Sequence, residues 1–156
     1  MVITYIGIGA NLGDREAQIA QAISRLRALP GSAVRNVSAV REYTPSGGPP
    51  QGPYLNAVVE LSTALSPRDL MTRLQDLEAS LGRTRPAVRW GPRTMDLDLL
   101  LYGDLIVSEP DLTIPHPRLH ERRFVLEPLA EIAPEAYHPV LRCTARDLLQ
   151  HLGATS

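Results

Sequence analysis

Residues 95–101 read Met95-Asp96-Leu97-Asp98-Leu99-Leu100-Leu101. Successive strand residues point to opposite faces, so a β-strand here sets Met95, Leu97, Leu99 and Leu101 on one face and Asp96 and Asp98 on the other. Two carboxylates at i and i+2 project side by side, which is unfavourable unless a cation or a shared proton offsets their repulsion. Taken alone, the acidic pair fits a solvated strand face as well as a metal site. The segment just upstream shifts the balance: Arg83, Arg85, Arg89 and Arg93 lie within it, with Trp90 among them. Carboxylates for a metal, guanidinium groups for phosphate and an aromatic face for a ring then share one short stretch.

Working outward, residues 54–63 give the cleanest strand, with Leu55, Ala57, Val59 and Leu61 on one face and Tyr54, Asn56, Val58 and Glu60 on the other. Ser66-Pro67-Arg68-Asp69 opens a helix with an N-cap, a first-position proline and a capping box. Leu70, Leu74, Leu77 and Leu81 form its stripe, and Gly82 ends it. Toward the N-terminus, residues 3–9 read as a buried strand. A helix bearing Ile19, Ile23 and Leu26 follows and stops at Pro30-Gly31, and a second strand spans 33–43. The Pro- and Gly-rich segment 44–53 cannot be regular structure and reads as a linker or as a loop that shapes a pocket. The order is βαββαβ. That predicts an α+β, ferredoxin-like core: an antiparallel sheet with helices on one face, and Asp96, Asp98, Tyr54 and Asn56 together on the other. Beyond it, helices over about 122–132 and 148–152 form an extension that covers part of the free sheet face.

The 156 residues fit one domain, 1–156. A net charge of -1 gives no basic field to hold nucleic acid or an anionic membrane. All sixteen basic side chains are arginine, which excludes a P-loop lysine, a Schiff base or a lysine general base. One cysteine allows neither an internal disulfide nor a multi-cysteine zinc site. No apolar run has the length of a membrane span and the first residues carry no basic segment, so a cytoplasmic protein is expected, with a monomer as the simplest state. Gly7-Ile8-Gly9-Ala10-Asn11-Leu12-Gly13 is one residue too long for a dinucleotide fingerprint and reads as a strand-to-helix turn.

Paired acids suit Mg²⁺, which takes one or two carboxylates together with phosphate oxygens and water. Arginines suit phosphate through a planar, permanently charged fork. Trp90 is either a core anchor for its loop or a lid that stacks on a ring. Tyr54, Asn56 and Phe124 can complete such a pocket, and His116, fixed between two prolines, can reach a phosphate. These residues admit three readings: a phosphoryl-transfer enzyme, another metal-dependent transferase using D-x-D, or a ligand-binding module with a structural acidic pair.

The stretch Arg89-Trp90-Gly91-Pro92-Arg93-Thr94-Met95-Asp96-Leu97-Asp98-Leu99-Leu100 resembles the signature of the 6-hydroxymethyl-7,8-dihydropterin pyrophosphokinase family. Ile8-Gly9-Ala10-Asn11-Leu12-Gly13, Tyr54-Leu55-Asn56-Ala57, Gly82-Arg83-Thr84-Arg85 and Ile114-Pro115-His116 match in order. The resemblance implies transfer of pyrophosphate from ATP to the pterin's 6-hydroxymethyl oxygen in folate biosynthesis, releasing AMP. It implies two Mg²⁺ ions on Asp96 and Asp98. It implies a pterin site of Thr44, Pro45, Tyr54, Asn56, Trp90, Asp96 and Phe124. For ATP it implies Gln75, Glu78, Arg85, Arg89, Trp90, Arg93, Leu99, Thr113, His116 and Arg122. Arg83 and Arg93 are implied as charge-neutralising catalytic residues beside the two aspartates. The chain departs from the family pattern at Gly47-Gly48, at Pro117 and at Asp111, where a basic nucleotide contact is usual.

Overall fold

The computed structural model describes residues 1–11, 14–43, 54–82 and 95–155. Strand β1 (Val2–Ala10) leads into helix α1 (Arg15–Arg27). Asp14 caps that helix, its carboxylate accepting from the Ala17 N–H at 3.1 Å. The chain turns back through Gly31, whose φ of 66° favours glycine. Strands β2 (Ser32–Val37), β3 (Arg41–Tyr43) and β4 (Tyr54–Thr63) follow, then helix α2 (Pro67–Gly82) and strand β5 (Met95–Tyr102). At the head of α2, Ser66 Oγ accepts from the Asp69 N–H at 3.1 Å, as the capping pattern predicts.

The single strand expected over 33–43 is two. Both β2 and β3 pair with β4. Ser38 interrupts them because its hydroxyl accepts from the Val58 N–H at 2.9 Å while its own N–H donates to the Val58 carbonyl at 2.9 Å. A side chain there replaces one rung of the ladder.

The main sheet runs β2-β4-β1-β5, with β3 also beside β4, and every neighbouring pair is antiparallel. Helix α1 therefore links β1 to β2 across β4, and α2 links β4 to β5 across β1. Both helices cover one face. Ile6 and Ile8 of β1, Val59 and Leu61 of β4, and Met95, Leu97 and Leu99 of β5 pack there against Ile19, Leu26, Leu70 and Leu74. Leu101, expected among them, lies in a second core instead. The β1–β5 register steps from Ile6/Leu99 to Tyr5/Leu101, leaving Leu100 as an extra residue. That bulge breaks the alternation, so Leu100 and Leu101 both join the opposite side.

The second core is built by the C-terminal extension. A 3₁₀ turn (Leu119–Glu121) and helices α3 (Arg123–Ile132) and α4 (Ala145–Thr155) bring Leu119, Val125, Leu126, Leu129 and Leu148 onto Val58 and Leu100. Helix α4 is longer than the span 148–152, beginning right after Thr144, whose hydroxyl accepts from the Asp147 N–H at 3.2 Å. Two hairpins not legible in the sequence, β6 (Val107–Glu109) with β7 (Leu112–Ile114) and β8 (Tyr137–His138) with β9 (Cys143–Thr144), complete the described chain. Among the described residues no helix is long and apolar enough to cross a membrane. The C-terminal layer leaves part of its sheet face uncovered, over Gly7, Gly9, Asn56, Asp96 and Asp98.

Candidate active site

Three adjacent strands form the floor of that open area. Gly9 of β1 faces Asn56 of β4 on one side and Asp96 of β5 on the other, and Gly7 faces Val58 and Asp98 in the same way. The two glycines leave room above the sheet between the polar side chains. A Cβ on Gly9 would stand 3.1 Å from Asn56 Oδ1, whereas one on Gly7 would meet only the Leu100 side chain, at 3.5 Å. Asn56 is buried and Asp96 and Asp98 are half-buried, while Met95 and Leu97, which alternate with them, are sealed in the core beneath.

Two cavities meet over these residues, and Asp96 and Asp98 line both. The larger, about 500 Å³, has walls of Tyr43, Tyr54, Asn56, Arg118, Arg122 and Phe124. The ring of Phe124, in the first turn of α3, stands 6.3 Å from that of Tyr43, tilted by 60°. The Arg122 guanidinium carbon lies 5.5 Å from the Phe124 ring centroid. The smaller cavity, about 380 Å³, lies between α2 and the β6–β7 hairpin and is lined by Gln75, Glu78, Leu99, Asp111, Thr113 and His116.

His116 follows the cis Ile114–Pro115 bond, and its backbone N–H donates to the Leu100 carbonyl at 2.9 Å. Its Nδ1 accepts from the Arg118 N–H at 3.2 Å, which leaves Nε2 to carry the proton of the neutral ring. Burial pushes the His116 pKa below the usual histidine value; Asp98 pulls it back, and Arg122 and Arg118 push it further down. Glu78 Oε2 accepts from the Leu97 N–H at 2.9 Å, tying α2 to β5 at the cavity wall. On the far side of that cavity, Arg68 in the first turn of α2 forks onto Asp111 at 2.9 and 3.3 Å and also meets Glu109.

A family model described as 7,8-dihydro-6-hydroxymethylpterin-pyrophosphokinase (HPPK) matches residues 5–134, which include every described residue of both cavities. The chain belongs to this family. A pyrophosphokinase of Bacillus subtilis, named for 2-amino-4-hydroxy-6-hydroxymethyldihydropteridine, is 46% identical over 85% of this chain and 79% of its own length. A protein of the same name from Methylorubrum extorquens is 44% identical over 86% of this chain and 85% of its own. Among solved structures, an HPPK-DHPS in complex with substrates superposes on 99% of this chain with a TM-score of 0.77 at 12% identity. The chain spans 44% of that protein's length. A Plasmodium falciparum HPPK-DHPS gives a TM-score of 0.74 at 15% identity over 97% of this chain and 43% of its own. At these identities the structures speak for the fold alone.

The residues expected from the sequence of this pyrophosphokinase divide into three groups. Tyr54, Asn56, Asp96 and Phe124, four of the residues the resemblance implies for the pterin, line the larger cavity, and Asp98, implied for the metal, lines it with them. Gln75, Glu78, Leu99, Thr113 and His116, five of the residues the resemblance implies for ATP, line the smaller one. Arg122, expected with ATP, lines the larger cavity beside Phe124. Thr44, Pro45, Arg83, Arg85, Arg89, Trp90 and Arg93 lie outside the described residues. Sequence reasoning missed Gly7 and Gly9 as a cavity floor and Tyr43, Arg118 and Glu121 as lining. Two glycines alternating with Ile8 inside a strand were a legible sign of close approach by a ligand.

The acidic pair fits a hard cation. Among the described residues no three His, Cys, Asp or Glu side chains converge as a complete cage. Two half-buried carboxylates at the seam of two cavities instead suit an ion that completes its shell with water and substrate oxygens, as Mg²⁺ does.

Proposed function

We propose that the two cavities hold the two substrates of a pyrophosphoryl transfer: the dihydropterin in the larger, ATP in the smaller, with their reacting groups meeting over Asp96 and Asp98. The observation that carries this reading is that both aspartates line both cavities. In the transfer, the pterin's hydroxymethyl oxygen attacks the β-phosphorus of ATP. The bond from that phosphorus to the α-phosphate oxygen breaks, AMP leaves, and the hydroxyl proton is released.

A flat bicyclic ring fits against the face of Phe124, and the Asn56 amide offers both a donor and an acceptor to its edge. That amide is buried, so it selects for a ring whose edge pairs with it and penalises one that leaves it unpaired. Neutral His116 presents Nε2–H to a phosphate oxygen, and Gln75 and Thr113 contribute polar groups beside it. Arg122 stands near enough to His116 to depress its pKa, which suits a cation reaching from the larger cavity toward phosphates at the seam. Arg83, Arg85, Arg89 and Arg93 are assigned by family resemblance to phosphate charge, and Trp90, Thr44 and Pro45 to the rings. Two Mg²⁺ ions on Asp96 and Asp98 would neutralise charge on the transferring phosphates when bound. The protein's own share is alignment of an oxygen with a phosphorus and exclusion of water, which is most of what phosphoryl transfer requires.

We read the strand order and its two interleaved crossovers as ferredoxin-like, and the enzyme as a cytoplasmic monomer. Incubation with Mg-ATP and hydroxymethyl-dihydropterin is expected to release AMP in step with pterin diphosphate. Failure to form AMP would reject the assignment.

A further inference from the structure

Tyr43 takes no part in that transfer, yet it lines the larger cavity beside Phe124, whose face is proposed to meet the ring. It closes β3, opposite Tyr54 of β4. Its hydroxyl donates to Glu127 Oε1 at 3.0 Å, and its ring lies against Phe124. One helical turn further along α3, Glu131 receives the Arg41 guanidinium at 2.7 Å and the Ala39 N–H at 2.9 Å. Glu127 and Glu131, at i and i+4, thus present two carboxylates along one side of α3 to the same short strand.

We propose that Tyr43 is a positioning residue for the dihydropterin: tethered to Glu127 and packed on Phe124, it fixes where the Phe124 ring stands and so sets affinity for a flat ring in the larger cavity. This rests on that cavity being the pterin site. Phe124 is partly exposed: it packs against the second core, and the Arg122 guanidinium and the Tyr43 ring stand beside it at the cavity. An arginine side chain is long and mobile. Tyr43 is held at both ends, by strand pairing at its backbone and by Glu127 at its hydroxyl. Burial, then Glu127, raises its pKa to about 12, with Arg41 opposing, so the hydroxyl remains a donor across the physiological range. The second rung at Glu131 keeps β3 against α3 independently, so loss of the Tyr43 tether frees the ring without releasing the strand.

The test is steady-state kinetics of Tyr43→Phe, Glu127→Ala and the double variant, with Asn56→Ala in parallel. Tyr43→Phe keeps the ring and removes the tether. We expect the KM for the pterin to rise about 3- to 10-fold, the scale of one hydrogen bond, with the KM for ATP and kcat within twofold of wild type. Glu127→Ala should give the same pterin effect, the double variant no more than either alone, and Glu127→Gln should restore most of the affinity. An unchanged pterin KM in Tyr43→Phe, or additive effects in the double variant, overturns the tether while Asn56→Ala still raises that KM. If Asn56→Ala also leaves it unchanged, the site reading fails with it. Equal changes in both KM values mark a general structural effect and likewise overturn the proposal.

Discussion

Replacing Gly9 by alanine puts one methyl group at the junction of the acidic pair and Asn56. Gly9 lacks the left-handed backbone that would forbid a side chain, so the substitution is sterically a matter of space alone. The new Cβ would stand 3.1 Å from Asn56 Oδ1, a few tenths of an ångström too close. Asn56 is 7% exposed and has little room to retreat. Overpacking of this kind costs about 1–3 kcal/mol, and alanine in a strand regains about 0.5–1 kcal/mol over glycine. The fold should survive, with Tm lowered by no more than about 10 °C at a few degrees per kcal/mol. The functional cost should be larger. An amide displaced from its hydrogen-bonding position loses about 1–3 kcal/mol toward a ring edge, which at 1.4 kcal/mol per decade is a roughly 5- to 150-fold rise in the pterin KM. The assay is AMP release against pterin at saturating ATP, repeated against ATP at saturating pterin. Gly7→Ala is the internal comparison: its Cβ meets Leu100 at an ordinary 3.5 Å, so it should disturb the pterin KM less. A folded Gly9→Ala enzyme with a pterin KM within twofold of wild type would refute the placement of the pterin over this floor.

Asp98→Ala should abolish Mg²⁺-dependent AMP formation while circular dichroism and Tm stay close to wild type, because the side chain is half-buried at a cavity and outside both cores; normal turnover would remove its metal role. Arg68→Ala should raise the KM for ATP about 2- to 5-fold at low ionic strength, by unmasking the Asp111 carboxylate at the wall of the cavity proposed for ATP. That increase should shrink in added salt, and a salt-independent change would count against an electrostatic cause. Stability should fall as pH drops below about 6.5, the ordinary histidine value. Burial lowers the pKa of both His116 and His138, so the unfolded chain takes up these protons first and the stabilisation is full only above that pH. Urea unfolding at pH 7.5 and 5.5 reads this directly, and equal midpoints would contradict it.

The most regular elements are legible in the sequence itself. Strand 54–63 and helix α2 carry unbroken alternation or a leucine stripe with a capping serine, so local chemistry and tertiary packing agree there. Asp96 and Asp98 share a face with Asn56 because strict alternation leaves no other register. What escapes the sequence depends on contacts distant along the chain. Ser38 looks like any strand residue until Val58 lies beside it. The Leu100 bulge cannot be seen in an apolar run, because the residues that flip faces are all leucine. Tyr43 ends what reads as a single strand over 33–43, and the docking of α3 gives it Glu127 and Phe124. Arg122 follows the same rule: its sequence neighbours do not say which of two cavities it enters.

Among the described residues, strand β5 stands at the rim of the sheet and pairs with β1 alone. An open rim of this kind invites a foreign strand to add on, the usual start of edge-to-edge aggregation. Here the wall of the smaller cavity stands guard: Glu78 accepts from the Leu97 N–H, and the His116 N–H donates to the Leu100 carbonyl. The groups that close the rim therefore also line the cavity proposed for ATP. A change at Glu78 would alter the lining of that cavity and bare a sticky edge at once, so loss of activity in such a variant means little until its solubility has been measured.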